Sequence, residues 1–305
     1  MKIGILGSGA MGCLFGAAFH RAGCDVTLID VNQPHIDAIN AKGLELDRRA
    51  GVERLPIPAC QPADAKGPLD LIVVFTKTFH TVGALSGVSH AIGPDTHLLS
   101  LQNGLGNDRK LAGFVPDAQV MVGASMLPSD LKGPGKVRSH GEGYSSLYPA
   151  FGGDPAMAQT IADLLTKGEL PAKTDPAIHK VIWSKAIFNA VMNPLCALTL
   201  RTPGFLGASE MARATIHEAV EEGVAAAHAN GVMVDARPIH DLTETSMTDH
   251  ADHEASMLQD VKAGRRTEVD AIAGAIVQAA EVKGLSAPVL KTLWHLVKLE
   301  DAKLD

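Results

Sequence analysis

Three polar side chains recur at a fixed interval in the segment WSKAIFNAVMNPL: Lys185, Asn189 and Asn193. Steps of four residues drift only about 40° around an α-helix, so all three share one narrow stripe. Trp183, Ile187, Phe188, Ala190, Val191 and Met192 would cover the rest of that helix. A helix apolar on its other faces is buried, and its polar stripe then lines a cleft. A lysine in a cleft can donate a proton to a carbonyl oxygen as hydride reaches the carbon, or stabilise the alkoxide that forms. Asparagines beside it can hold polar groups of a substrate without adding charge. A lysine that snorkels to solvent, beside asparagines that satisfy nearby backbone, would give the same spacing.

Two more residues could complete such a site. Glu268 follows Thr267 in the first turn of an expected helix, where the helix dipole favours a carboxylate. From there it can orient Lys185 or a cofactor hydroxyl. Ser256, in HEASMLQD, opens the preceding helical stretch and can donate to a substrate carboxylate. Read alone, each is more often an ordinary surface cap.

The chain start points to a dinucleotide. Gly7, Ser8, Gly9, Ala10, Met11 and Gly12 form GxGxxG between an apolar strand-like run and a helix-like run. In this motif the first glycine permits a tight turn and the second admits a pyrophosphate. The third lets helix and strand pack closely, and the helix N-terminus attracts the phosphate charge. Asp30 ends the next strand-like run, DVTLID, where a carboxylate can accept both adenosine-ribose hydroxyls and repel a 2′-phosphate. No arginine or lysine stands in DVNQPH, so the sequence favours NAD(H) over NADP(H). Lys77, in FTKTFHT, follows another strand-like run and can meet a cofactor phosphate or the ribose region. Asn103, in LQNGLGND, follows the next one, with Gly104 and Gly106 allowing close approach. A solvated lysine and a simple turn asparagine are the plainer alternatives.

These groups need elements to hold them. The runs KIGILG, DVTLID, LDLIVVFT (69–76), THLLSL (96–101) and QVMVGAS (119–125) are short and rich in Val, Ile and Leu. Apolar strands separated by helical patterns indicate a parallel α/β sheet with both faces covered. The stretch 137–153 reads as a hairpin or edge pair with glycines at its turns. Beyond about residue 175 the pattern is helical only, over 177–198, 209–229, 253–263, 267–282 and 287–302. Ser209 is placed to cap the second of these, and Thr267 with Asp270 makes a capping-box-like start to the fourth. We expect a dinucleotide-binding domain over 1–175 and a helical substrate and catalytic domain over 176–305.

Totals bound the partners. The chain has 305 residues and a net charge of −7, which argues against nucleic acid and anionic lipid surfaces. No uninterrupted run of 18 or more apolar residues suggests a membrane span. The four cysteines show no paired or CxxC spacing, which suits a reducing, cytoplasmic setting. TDHADHEA (248–255) has the composition of a metal site but no standard ligand spacing, so no metal is expected. The basic pair at 265–266 reads as a helix terminus. VDAIAGAIVQAAEV serves as core or as a homodimer face, and the sequence leaves both open.

Taken in order, GSGAMG, the FTK lysine, QNGLG, WSKAIFNAVMNPL, SMLQD and RRTEVDAIAG resemble the ketopantoate reductase family over essentially the whole chain. The resemblance implies an α/β Rossmann-type domain followed by an all-α domain of the 6-phosphogluconate dehydrogenase C-terminal type, with the active site between them. It implies reduction of a small-molecule 2-oxo acid to the D-2-hydroxy acid, with NADP(H) possible as well as NAD(H). By the family pattern Lys185 is the catalytic acid, and Asn189, Asn193 and Ser256 bind substrate. Asn103 would touch cofactor and substrate, and Glu268 would complete the ternary site.

Two departures qualify the pattern. NADPH-using members tend to carry a basic residue where this chain reads Asp30-Val31-Asn32. A further family asparagine is replaced in TLRTPGFLG, with Pro203 near its position. The cofactor end is similar to NAD-dependent D-2-hydroxyacid dehydrogenases of the same family, D-mandelate dehydrogenase among them. A β-hydroxyacid dehydrogenase also joins GxGxxG to a lysine and asparagine four apart, but HKVIWSK replaces its glycine-rich helix start. A non-catalytic NAD(P)-sensing protein would not need the lysine–asparagine stripe.

Overall fold

The structure, a computed structural model, describes residues 1–139 and 142–304. It divides into two compact units: residues 1–102 with 107–178, and residues 103–106 with 179–305.

The first unit runs β1 (Lys2–Leu6), α1 (Ala10–Arg21), β2 (Asp25–Ile29), α2 (Gln33–Lys42), β3 (Leu44–Arg48), β4 (Gly51–Leu55) and β5 (Ala59–Cys60). It continues with β6 (Leu69–Val74), α3 (Thr81–Gly87), β7 (Ile92–Ser100), α4 (Asn107–Leu111), β8 (Val120–Ser125) and β9 (Asp130–Gly133). It ends with β10 (Lys136–Ser139), β11 (Ser145–Pro149), α5 (Ala156–Lys167) and β12 (Ala172–Thr174). Eight strands form the main sheet in the order β12-β11-β8-β7-β6-β1-β2-β5. All neighbours are parallel except β8 and β11. Ile3, Ile5, Leu28, Ile72, Val73, Leu98 and Leu99 are fully buried, as strands covered on both faces require. Phe15 and Phe19 of α1 pack with Ile161 and Leu165 of α5 in the same core. Each such side chain contributes about 1.5–3 kcal/mol of burial. The chain direction reverses its lateral path between β1 and β6, and a doubly wound sheet binds its ligand at such a switch, beyond the strands' C-terminal ends.

The expected hairpin over 137–153 does not form. β10 pairs with β3 and β9 in a separate four-stranded sheet, β4-β3-β10-β9, whereas β11 joins the main sheet against β8. His140 and Gly141, which fall in that expected turn, lie outside the described residues. The small sheet escaped the sequence reading because its strands are half-exposed and charged, as in LELDR and GVERL.

The second unit contains α6 (Ile178–Thr199), α7 (Pro203–Gly207), α8 (Glu210–Ala229), α9 (Ala236–Thr248) and α10 (Ser256–Lys262). A π-helical turn (Asp270–Gly274), α11 (Ala275–Val282) and α12 (Pro288–Asp301) complete it. α6 is long and apolar enough to cross a membrane by length and composition, but most of its apolar window is buried inside the protein. Ile187, Ala190, Val191 and Met192 share one core with Val220 of α8, Ile239 of α9, Leu258 of α10, Ile276 of α11 and Leu290 of α12. At Gly223 of α8 an added Cβ would lie 2.9 Å from Ile187, so glycine lets α8 approach α6 closely. α9 was missed by sequence: it is short of apolar residues, carries Pro238 in its first turn, and is started by Asp235 accepting the Arg237 N–H. Val269, Ile272, Ala273, Ile276, Val277 and Ala280 are buried, so one face of the stretch 269–282 is core of this unit, whereas Val282 at its end is exposed.

Candidate active site

In the first unit, Gly7 turns the chain out of β1 at φ +93°, and a Cβ there would sit 2.6 Å from the Thr76 nitrogen. A Cβ on Gly12 would fall 2.0 Å from the Gly7 carbonyl oxygen, so α1 lies flat against the loop. Gly9 is different: a Cβ there meets nothing within 4 Å. Gly9 is also the N-cap of α1, which has no side-chain cap and no acidic residue in its first turn. The N–H groups of Ala10, Met11 and Gly12 therefore point from a bare helix terminus, which suits a pyrophosphate. Ser8 is buried in this loop.

Asp30 reaches the same loop. Its Oδ2 accepts the Ser8 N–H at 2.7 Å and the Ser8 hydroxyl at 3.2 Å, and its Oδ1 accepts the Asn32 N–H at 3.0 Å. A carboxylate has about four lone-pair sites, so capacity remains for ribose hydroxyls. Behind it, burial and the Asp30 charge hold the Cys13 thiol protonated, and Cys13 donates to the Ser8 carbonyl at 3.0 Å. Lys77 is half-buried and precedes the turn Thr78–His80, whose Thr78 carbonyl accepts Lys110 Nζ at 3.0 Å. Gln102, which the sequence reading did not single out, ties this loop to the end of β7. Its Nε2 donates to the Thr76 carbonyl at 2.6 Å and to Thr81 Oγ1 at 2.8 Å. Its place beside Asn103 in LQNGLGND was the available signal.

In the second unit, α6 starts after Asp175 accepts the Ala177 N–H at 2.9 Å. It ends where Leu200 turns at φ +54° and the Arg201 N–H returns to the Cys196 carbonyl at 3.2 Å. Between these ends, Asn189 and Asn193 are 8% and 5% exposed, so their amides face protein-lined space. Pro194 follows and removes the N–H that Ala190's carbonyl would accept. Lys185 is half-buried as a whole residue, and its amine is sunk deep enough that burial pulls its pKa down to about 8. The Glu268 charge pushes in the opposite direction. Glu268 is itself 8% exposed.

Glu268 is held by its neighbours rather than by the expected capping box. Thr267 Oγ1 receives the Val269 N–H at 3.4 Å, while Asp270 turns to α12. There Asp270 accepts Trp294 Nε1 and Lys298 Nζ, each at 2.8 Å. Asn103 is half-buried on the segment 103–106, which packs with this unit. The Leu105 N–H donates to the Ala271 carbonyl at 2.9 Å, and a Cβ on Gly104 would lie 2.2 Å from that oxygen. Ser256 is exposed as the first residue of α10. Thus Lys185, Asn189 and Asn193 lie on one helix in this unit, with Glu268 within electrostatic reach of Lys185. Asn103's segment docks on the turn just beyond Glu268.

His217, Glu221 and His240 place ligating atoms within 4.8 Å of one another on α8 and α9. His240 Nε2 lies 2.8 Å from Glu221 Oε1 and its ring stacks on His217, which accounts for the cluster as a surface hydrogen-bonded group. The acidic and histidine residues of 248–255 do not form such a group among the described residues.

Residues 3–149 match the family described as ketopantoate reductase PanE/ApbA, and residues 177–301 match its C-terminal counterpart. A 2-dehydropantoate 2-reductase of Streptococcus pyogenes serotype M18 is 33% identical over 306 residues, covering 100% of this chain and 99% of the relative. One from Pyrococcus abyssi is 34% identical, covering 99% and 98%. Among solved structures, a D-mandelate dehydrogenase in ternary complex with NADH and anilino(oxo)acetate superposes with a TM-score of 0.95 at 31% identity, covering 100% and 99%. A PanE/ApbA family ketopantoate reductase from Ralstonia eutropha gives a TM-score of 0.90 at 30% identity, with the same coverage.

Proposed function

The chain belongs to the ketopantoate reductase family, and from that premise we propose that it reduces a branched 2-oxo acid, ketopantoate or one of similar shape, to the D-2-hydroxy acid with NADH favoured and Lys185 as general acid. It is an NAD(P)-dependent oxidoreductase of 2-oxo acids. The observation that carries the finer reading is the Lys185 amine, sunk on α6 near Glu268 with its pKa pulled to about 8, on one stripe with two buried amides.

In this reading the first unit binds the dinucleotide. Gly7, Ser8, Gly9, Ala10, Met11 and Gly12 take the pyrophosphate, Asp30 the adenosine ribose, and Lys77 a phosphate or the ribose region. When bound, the nicotinamide supplies the hydride that reduces C2 of the acid. The second unit supplies the rest. Asn189, Asn193 and Ser256 hold the substrate's polar groups, and Asn103 contacts substrate and cofactor. Lys185 passes a proton from Nζ to the keto oxygen, so hydride and proton together convert C=O to CH–OH. Glu268 keeps that amine protonated near neutrality. The free cysteines, three of them buried, fit a cytoplasmic setting.

Asp30, fixed against the glycine loop, favours a second reading: an NAD-dependent D-2-hydroxyacid dehydrogenase, D-mandelate-like in substrate. Following loss of reduced-cofactor absorbance with ketopantoate, 2-oxoisovalerate and benzoylformate separates the two. Strong turnover of ketopantoate supports the first reading, and preference for benzoylformate with NADH supports the second. Turnover of none of these acids with either cofactor overturns both.

A further inference from the structure

α12 is anchored at both ends by carboxylates. At its start, Glu222 of α8 accepts the N–H groups of Val289 and Leu290, each at 2.9 Å. At its end, Asp301 reaches back across 34 residues to Thr267: Oδ1 accepts the Thr267 N–H at 3.0 Å and Oδ2 the Thr267 hydroxyl at 2.9 Å. Thr267 is 2% exposed and Asp301 9% exposed. An aspartate in the last turn of a helix opposes the helix dipole, and burying its charge is costly unless it is fully hydrogen-bonded. Local preference therefore does not explain Asp301. Its tertiary partner does, and that partner is the residue immediately before Glu268.

We infer that Asp301 is a positioning residue: by clamping Thr267 through both N–H and hydroxyl, it sets the turn that holds the Glu268 carboxylate near Lys185. This rests on the roles proposed above for Lys185 and Glu268. The clamp is reinforced along α12, where Trp294 and Lys298 grip Asp270 two residues beyond Glu268. The π-helical turn that follows carries the Ala271 carbonyl on which the 103–106 segment docks. π-turns are frequent where a fold fixes functional residues. Of the other charges around this turn, Arg265 pairs with Asp260 of α10 at 3.0 Å, Arg266 with Asp270 at 3.6 Å, and Lys298 of α12 with Asp270 at 2.8 Å. Variants at 267 and 301 leave those charges in place.

The test is the pH dependence of kcat for 2-oxo acid reduction, measured on the full chain for E268Q, D301A, T267V and D301N. The Glu268 charge raises the pKa of Lys185, so its removal in E268Q moves the high-pH limb of kcat to lower pH. D301A and T267V are expected to move it the same way by a smaller amount, with kcat down about tenfold for D301A and KM for NADH unchanged. D301N is expected to restore the wild-type limb, because its carbonyl accepts the Thr267 N–H and its amide donates to Thr267 Oγ1. A limb moved by E268Q but by neither D301A nor T267V overturns the positioning role while sparing the Lys185–Glu268 reading. A limb unmoved even by E268Q overturns that reading, and the inference with it. Should D301A fail to fold, T267V, which removes only the hydroxyl, decides the same point.

Discussion

Lys185 and Asp30 each make a checkable claim at the scale of one side chain. With Lys185 as general acid, K185A should lower turnover by roughly 10² or more while leaving NADH affinity unchanged, as fluorescence titration would register. The acid must be protonated to act, and its pKa lies at about 8. Reduction should therefore run at full rate below that pH and fall about tenfold per unit above it. At the other unit, D30A removes a charged acceptor for the ribose hydroxyls and the repulsion of a 2′-phosphate. KM for NADH should rise roughly 10- to 100-fold, the worth of about one hydrogen bond to a carboxylate, while KM for NADPH rises less or falls. An unchanged cofactor ratio would remove Asp30 from the ribose. The positions of both residues were legible in the sequence, because a strand end or a helical stripe is a local property. Asp301 was not: its partner lies 34 residues away, and nothing in KLED signals the pairing.

The same distinction holds for elements. The glycine loop, the central strands and α6 were readable because apolar runs and glycine spacing encode them directly. The small sheet, α9 and the partition of 137–153 between two sheets were not, since half-exposed charged strands and a polar helix take their place from tertiary pairing. Two glycines test how tightly the elements abut. G12A would drive a Cβ to 2.0 Å from the Gly7 carbonyl, a backbone atom with no freedom to yield. Loss of NADH binding is the expected outcome in calorimetric titration, and retained affinity would mean that α1 can retreat. G104A combines a positive φ of +83° with a Cβ 2.2 Å from the Ala271 carbonyl, so the 103–106 segment must lift from the π-helical turn. We expect kcat to fall at least tenfold there, because Asn103 moves with that segment.

At the scale of the whole molecule, the proposed function divides the labour between the two compact units, with Gly7–Gly12, Asp30 and Lys77 on one and Lys185, Asn189, Asn193 and Glu268 on the other. A ligand bound only by the native state stabilises it by mass action, about 2.7 kcal/mol at a hundred times Kd. For a unit of this size that is a rise of roughly 5–10 °C in Tm on adding NADH, and G12A should abolish it. Both tryptophans, Trp183 on α6 and Trp294 against Asp270, belong to the helical unit. Excited at the red edge, where tyrosine does not absorb, the molecule is therefore half dark. Indole emission then reports the helical unit alone, whereas circular dichroism sums both halves. Where the two optical curves separate in denaturant, the gap measures how far each half melts on its own account.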